Sequence, residues 1–124
     1  MDKITLSSLG KTWILDLDGT IVKHNGYKTD GRDTFLEGAE DFLTNIPAAD
    51  MVIFLTSRTD MERELTEKFL QDNRIRYDHI IYNAPYGERI LINDNKPSGL
   101  KTSIAVETER DVFCKTAFII NEAL

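Results

Sequence analysis

Cysteine is nearly absent from this sequence. Cys114 is the only one among 124 residues, so no internal disulfide can form. That usage fits a reducing compartment, and Cys114 itself reads as a small buried or half-buried hydrophobe rather than a nucleophile. Long apolar runs are missing too, since none approaches the roughly 20 residues needed to span a bilayer. The opening residues, Met1 to Thr5, do not follow the basic-then-apolar layout of a signal peptide, and the expectation is a cytoplasmic protein without membrane partners. Basic charge is in deficit, with 15 Lys and Arg against 21 Asp and Glu, a formal net charge of −6. Phosphate contacts dominate nucleic-acid affinity, so the expected partner is a small phosphorylated molecule and not a nucleic acid.

What is present is an ordinary globular composition, 41% hydrophobic and 29% charged, in a chain of single-domain length spanning 1–124. Apolar runs at residues 12–15 and 51–55, the short stretch 79–82 and the stretch 89–92 read as strands, and 103–106 is the candidate for a fifth. Runs without alternation indicate strands covered on both faces, as in a parallel sheet between helices. Helical spacing marks 34–45, through Phe35, Leu36, Ala39, Phe42 and Leu43, with Pro47 beyond its end. It also marks 59–72, which opens with Thr59 and Glu62 in capping-box spacing and sets Met61, Leu65, Phe69 and Leu70 to one side. A terminal helix is predicted over 111–124. Alternating strands and helices predict an α/β fold, a Rossmann-like three-layer sandwich around a central parallel sheet.

In such sheets ligands bind beyond the carboxyl ends of the strands. Asp16 and Asp18 follow the first strand, Thr56 and Ser57 the second, and Asp94 the fourth. Two carboxylates at one strand end repel unless a cation lies between them, and a hard dication such as Mg2+ would serve. The competing reading of each residue is structural: a turn for the Asp16–Asp18 pair and for Asp94, a loop cap for the Thr56 hydroxyl. Phosphoryl transfer needs positioning and charge neutralisation, so a metal, a hydroxyl and a cationic side chain suffice. Lys96, Arg58 and Arg89 are the candidates for that cation. Gly19, Thr20, Ser57 and Arg58 are the candidate substrate-binding residues.

The segments ILDLDGT (14–20), FLTSR (54–58) and LINDNKP (91–97), in this order and each at a strand end, resemble the haloacid dehalogenase-like superfamily of phosphohydrolases. The resemblance implies a phosphomonoester hydrolase with Asp16 as nucleophile, forming an aspartyl phosphate, and Asp18 as general acid and base. It implies Thr56 as the hydroxyl of the second motif. It also implies Mg2+ held by Asp16, the backbone carbonyl of Asp18, and Asp94. Asp94 is flanked by Asn93 and Asn95 instead of a second acid, and 83–89 holds no lysine, which leaves Lys96, with Arg89 behind it, as the catalytic cation. The interval from Asp16 to Thr56 has room for a flap (21–32) and one helix, and that from Thr56 to Asp94 for a helix and a strand, so no cap domain fits. In the flap, His24, Tyr27 and Lys28 are specificity candidates or parts of a solvated hairpin. Residues 89–99 look like those of small capless members found with bacterial capsule or surface-polysaccharide synthesis enzymes, which implies a sugar phosphate or related metabolite as substrate. An open site would accept a bulky substrate or borrow a second subunit as its lid. The alternatives are a capless protein or nucleic-acid phosphatase, or a receiver-like phosphoacceptor domain. Against the receiver, Thr56 stands where its phosphorylated aspartate should end a central strand, and Leu17 separates an acidic pair that is usually adjacent.

Overall fold

A computed structural model describes residues 2–124 of the chain. The chain divides into two compact units. The larger takes Gly10–Pro85 and Thr108–Cys114, the smaller the residues up to Leu9, Tyr86–Glu107 and Lys115–Leu124.

In the larger unit, strands β2 (Thr12–Leu15), β3 (Met51–Leu55) and β4 (His79–Ile81) form a parallel sheet in that order, with Thr12 opposite Met51 and Ile53 opposite His79. Parallel neighbours need crossover connections, and the chain between β2 and β3 carries helices α1 (Gly26–Thr29) and α2 (Ala39–Thr44). Between β3 and β4 run a 3-10 turn (Asp60–Glu62) and helix α3 (Arg63–Asp72). Val52 and Phe54 of β3 are buried and join Leu17, Ile21, Val22, Ala39, Leu43, Leu70 and Ile75 in one core. Burial of each large apolar side chain is worth about 1.5–3 kcal/mol, so the core holds the segment after β2 as firmly as it holds the sheet. The other sheet face is not covered as the unbroken apolar runs predict. Ile14, Met51 and Ile81 on it are 52%, 42% and 51% exposed.

Both crossover helices are shorter than their periodicity predicts. Thr34 and Leu36 are drawn out of the expected 34–45 helix by pairing, because Lys23 N donates to Thr34 O (3.0 Å) and Leu36 N to Ile21 O (2.9 Å). These bonds close the base of the flap. Helix α2 then starts after Gly38, whose φ of +89° suits a residue without Cβ. The predicted 59–72 helix keeps its capping box at Thr59 and Glu62, but its first turn is 3-10 and Met61 is 89% exposed. The inner side of α3 is carried by Thr66 and Leu70.

In the smaller unit, β1 (Lys3–Leu6) pairs in parallel with β5 (Ala117–Ile120), Lys3 opposite Ala117 and Leu6 opposite Ile120. The predicted terminal helix over 111–124 is therefore corrected. Its Ala117-Phe118-Ile119-Ile120 run, rich in β-favouring residues, finds a strand partner in the chain's first residues. Residues 89–92 and 103–106 form no strand, and Ile90 and Ile92 are 81% and 91% exposed. The architecture is thus mixed α/β with open parallel sheets. Among the described residues no helix is long and apolar enough to cross a membrane.

Candidate active site

The chain turns sharply beyond β2. Leu17 is 2% exposed while Asp16 and Asp18 on either side of it stay partly exposed, the alternation expected of an extended segment. The carbonyl of Leu17 accepts from the amides of Thr20 (3.2 Å), Ile21 (2.9 Å) and Val22 (3.1 Å), which folds the chain back on itself. Gly19 makes the bend at φ +81°, with its amide donating to Val22 O (2.7 Å). The conformation calls for glycine, and a Cβ there would lie 3.2 Å from Arg110 Cγ, which would have to give by a few tenths of an ångström. Asp111 fastens this bend to the flap: its amide donates to Gly19 O (2.8 Å) and its Oδ1 accepts from the His24 amide (2.7 Å). Nδ1 of His24 is buried and has no hydrogen-bond partner. On the bend, the Thr20 hydroxyl donates to Asp16 Oδ2 at 2.9 Å, orienting that carboxylate.

The end of β3 supplies the second half of the site. Thr56 is 1% exposed; its amide donates to Ile81 O (2.9 Å) and its carbonyl accepts from Ala84 (3.0 Å). Its Oγ1 accepts from the Arg58 amide (3.0 Å). The hydroxyl therefore caps its own loop, the structural alternative open for it in the sequence. Ser57 is partly exposed beside it.

Arg58 turns inward. Its Nε donates to Asp18 Oδ2 (3.0 Å) and Nη2 to Asp18 Oδ1 (2.9 Å). Nη1 and Nη2 donate to Asp33 Oδ2 (3.0 Å) and Oδ1 (2.7 Å), and Nη1 also to Thr66 Oγ1 (2.9 Å). All five guanidinium N–H groups are thus engaged. The ring of Tyr27, from α1 in the flap, lies 4.3 Å from the guanidinium carbon. Lys28 Nζ is 5.6 Å from the same ring. Burial alone would push the Arg58 pKa down, but the hydrogen bonds and charges of Asp18 and Asp33 outweigh it and hold it above its ordinary value. Arg58 as a substrate-binding residue is accordingly corrected, because its donors are spent inside the protein and the residue is 4% exposed. It is instead the cation that an acidic strand end requires, supplied by the chain itself and aimed at Asp18.

The candidate residues separate by unit. Asp16, Asp18, Gly19, Thr20, Thr56, Ser57 and Arg58 share the carboxyl edge of the three-stranded sheet. Asp94 and Lys96 belong to the smaller unit, both exposed, in a loop closed by Gly99 N to Lys96 O (2.8 Å) and Lys96 N to Leu100 O (2.9 Å). No strand ends at Asp94. Arg89 lies in the same unit. Cys114 is free and half-buried.

Among the described residues no group of three or more His, Cys, Asp or Glu side chains is placed to hold a metal ion. Both oxygens of Asp18 face Arg58 and Asp94 belongs to the smaller unit, so of the ligands the resemblance implies, the Asp16 carboxylate and the Asp18 main-chain carbonyl are those that follow β2. Mg2+ keeps several waters and commonly takes one or two protein carboxylates plus substrate phosphate, so this donor set fits it without a third acid. Asp33 and Thr66 escape a reading of sequence pattern. The one signal is Thr66 itself, a hydroxyl on the inner side of an amphipathic helix, where an apolar residue is expected.

Compared with known proteins, the sequence matches no family and no curated protein. It is similar to a chain of the solved Pnkp1/Rnl/Hen1 complex, at 31% identity and a TM-score of 0.51, covering 67% of this chain and 31% of that one. It is also similar to a chain of the Pnkp1/Rnl/Hen1 RNA repair complex, at 33% identity and a TM-score of 0.51, covering 66% of this chain and 28% of that one. The present chain spans about a third of the length of these relatives.

Proposed function

We propose that the chain is a Mg2+-dependent phosphomonoester hydrolase working through an aspartyl phosphate on Asp16. One observation carries the reading: two carboxylates flank a buried Leu17 at a strand end, one oriented by a hydroxyl and the other by a charged fork. An Asp16 oxygen attacks phosphorus, the bond from phosphorus to the leaving oxygen breaks, and Asp18 delivers a proton to that oxygen. Water then attacks the aspartyl phosphate while Asp18 takes back a proton, and inorganic phosphate and the Asp16 carboxylate are regenerated. Mg2+, held by Asp16 and the Asp18 carbonyl, would neutralise phosphate charge.

The resemblance of residues 89–99 supports a sugar phosphate of polysaccharide synthesis as substrate, in a cytoplasmic setting compatible with a single cysteine. A second reading, a phosphate at an RNA end, is favoured by the likeness to chains of an RNA repair complex. The capless three-layer sandwich belongs to the same proposal, supported by the parallel order of β2, β3 and β4 and by helices α2 and α3 in their crossovers. A second subunit is a candidate cover for the open site.

The test is phosphate release from p-nitrophenyl phosphate, sugar phosphates and phosphorylated oligoribonucleotides. Activity should require Mg2+ and vanish in Asp16→Asn; full turnover in that variant or in EDTA defeats the mechanism. Preference among the other two substrate classes decides between the substrate readings. A long-lived phosphorylated Asp16 with no phosphate released would favour the phosphoacceptor alternative.

A further inference from the structure

We infer that Asp33 is a positioning residue that sets the geometry of proton transfer by Asp18, acting through Arg58. The inference rests on the phosphatase reading above. Asp33 and Arg58 have side chains only 2% exposed, whereas Asp18 is 18% exposed. Asp33 is therefore sealed away from substrate, and Asp18 is the end of the network that a reacting molecule can reach.

A guanidinium is rigid and planar, with its donors in a fixed fork. Asp33 occupies the edge formed by Nη1 and Nη2, and Asp18 the adjacent edge formed by Nε and Nη2. Nη2 serves both carboxylates, at 2.9 Å to Asp18 and 2.7 Å to Asp33. Two bonds to Asp33 and one to Thr66 fix the guanidinium in its plane, and the Tyr27 ring lies against it. Two parallel bonds then set the plane and depth of the Asp18 carboxylate. Burying a second carboxylate merely to stabilise the fold is inefficient, since desolvation offsets most of the attraction. Fixing an acid to within a fraction of an ångström is what such a pair does well.

The role predicts a readout that a purely structural loss would not move. An aryl phosphate such as p-nitrophenyl phosphate has a leaving group that departs without a proton, while an alkyl phosphate such as glycerol 2-phosphate needs one. General acid catalysis typically contributes about 10²–10⁴-fold, and mispositioning the acid removes part of that. Asp33→Asn should therefore lower kcat for the alkyl phosphate about tenfold more than for the aryl phosphate, with KM little changed. Thr66→Val, close to isosteric, should shift the ratio the same way by a smaller factor, and it carries the test alone should Asp33→Asn not fold. Equal losses on both substrates, or no loss on either, overturn the positioning role. If the wild-type protein releases phosphate from neither substrate, the phosphatase reading fails first and takes this inference with it.

Discussion

Replacing Arg58 with methionine keeps a long side chain but removes five hydrogen bonds and the cation that bridges Asp18 and Asp33. Asp33 would be left 2% exposed with neither of its two fork bonds. Breaking a buried ion pair by removing one partner costs about 3–5 kcal/mol, because the other charge stays desolvated. With an unfolding entropy of about 2.1 cal/mol/K per residue, a 124-residue chain changes by about 0.26 kcal/mol per degree near its midpoint. The expected fall in Tm is therefore about 12–19 °C, a large part of a total stability of about 5–15 kcal/mol. Thermal unfolding followed by circular dichroism at neutral pH reads this directly.

Two further features make the prediction specific. Adding Asp33→Asn to the Arg58→Met background removes the stranded charge and should recover part of the loss, so the two changes are not additive. The raised Arg58 pKa also fixes the pH dependence. A cation whose folded-state pKa lies above its unfolded value contributes stability fully present below the unfolded value and lost only as pH rises through the folded one. The gap between wild type and Arg58→Met should thus persist from neutral pH into strong alkali. A Tm within about 4 °C of wild type, which is about 1 kcal/mol, would refute the reasoning, since the fork would then add nothing beyond its apolar stem.

Gly19→Ala should destabilise the bend after β2 by about 1–2 kcal/mol, because the left-handed conformation penalises a Cβ and the added atom would lie 3.2 Å from Arg110 Cγ; an unchanged Tm would count against the bend as described. Tyr82 is 8% exposed, and burial first, then its hydrogen bond to Glu67 Oε2 (3.0 Å), pushes its phenol pKa up. Its folded-state pKa is raised, so this contribution is present below the ordinary tyrosine value and fades as pH rises above it. In an alkaline absorbance titration, the step that Tyr82→Phe removes should lie above the ordinary tyrosine value of about 10; a missing step at or below that value would contradict the burial.

Strands β2 and β3 were legible because their apolar runs are short, unbroken and ended by polar residues, and the structure keeps their predicted bounds. The strand β5 was not, because four apolar residues at the chain's end fit either period, and only the distant partner Lys3–Leu6 decides between them. Likewise the start of α2 depends on Thr34 and Leu36 being taken by the flap, a contact invisible to local periodicity. The site divides along the same line. The Asp16–Asp18 pair announces itself through its spacing after a strand, and the repulsion between two such carboxylates calls for a cation. Chemistry alone could not say which cation, and the candidates weighed were a metal and three basic side chains facing substrate. Arg58 answers part of that demand from within, since its planar fork reaches Asp18 only by also burying Asp33, which lies 25 residues away in sequence. A charge read from sequence as exposed and substrate-facing is thus a buried group of the site. What distinguishes the two cases is the buried acid on its far side, and that acid is found only once the chain is folded.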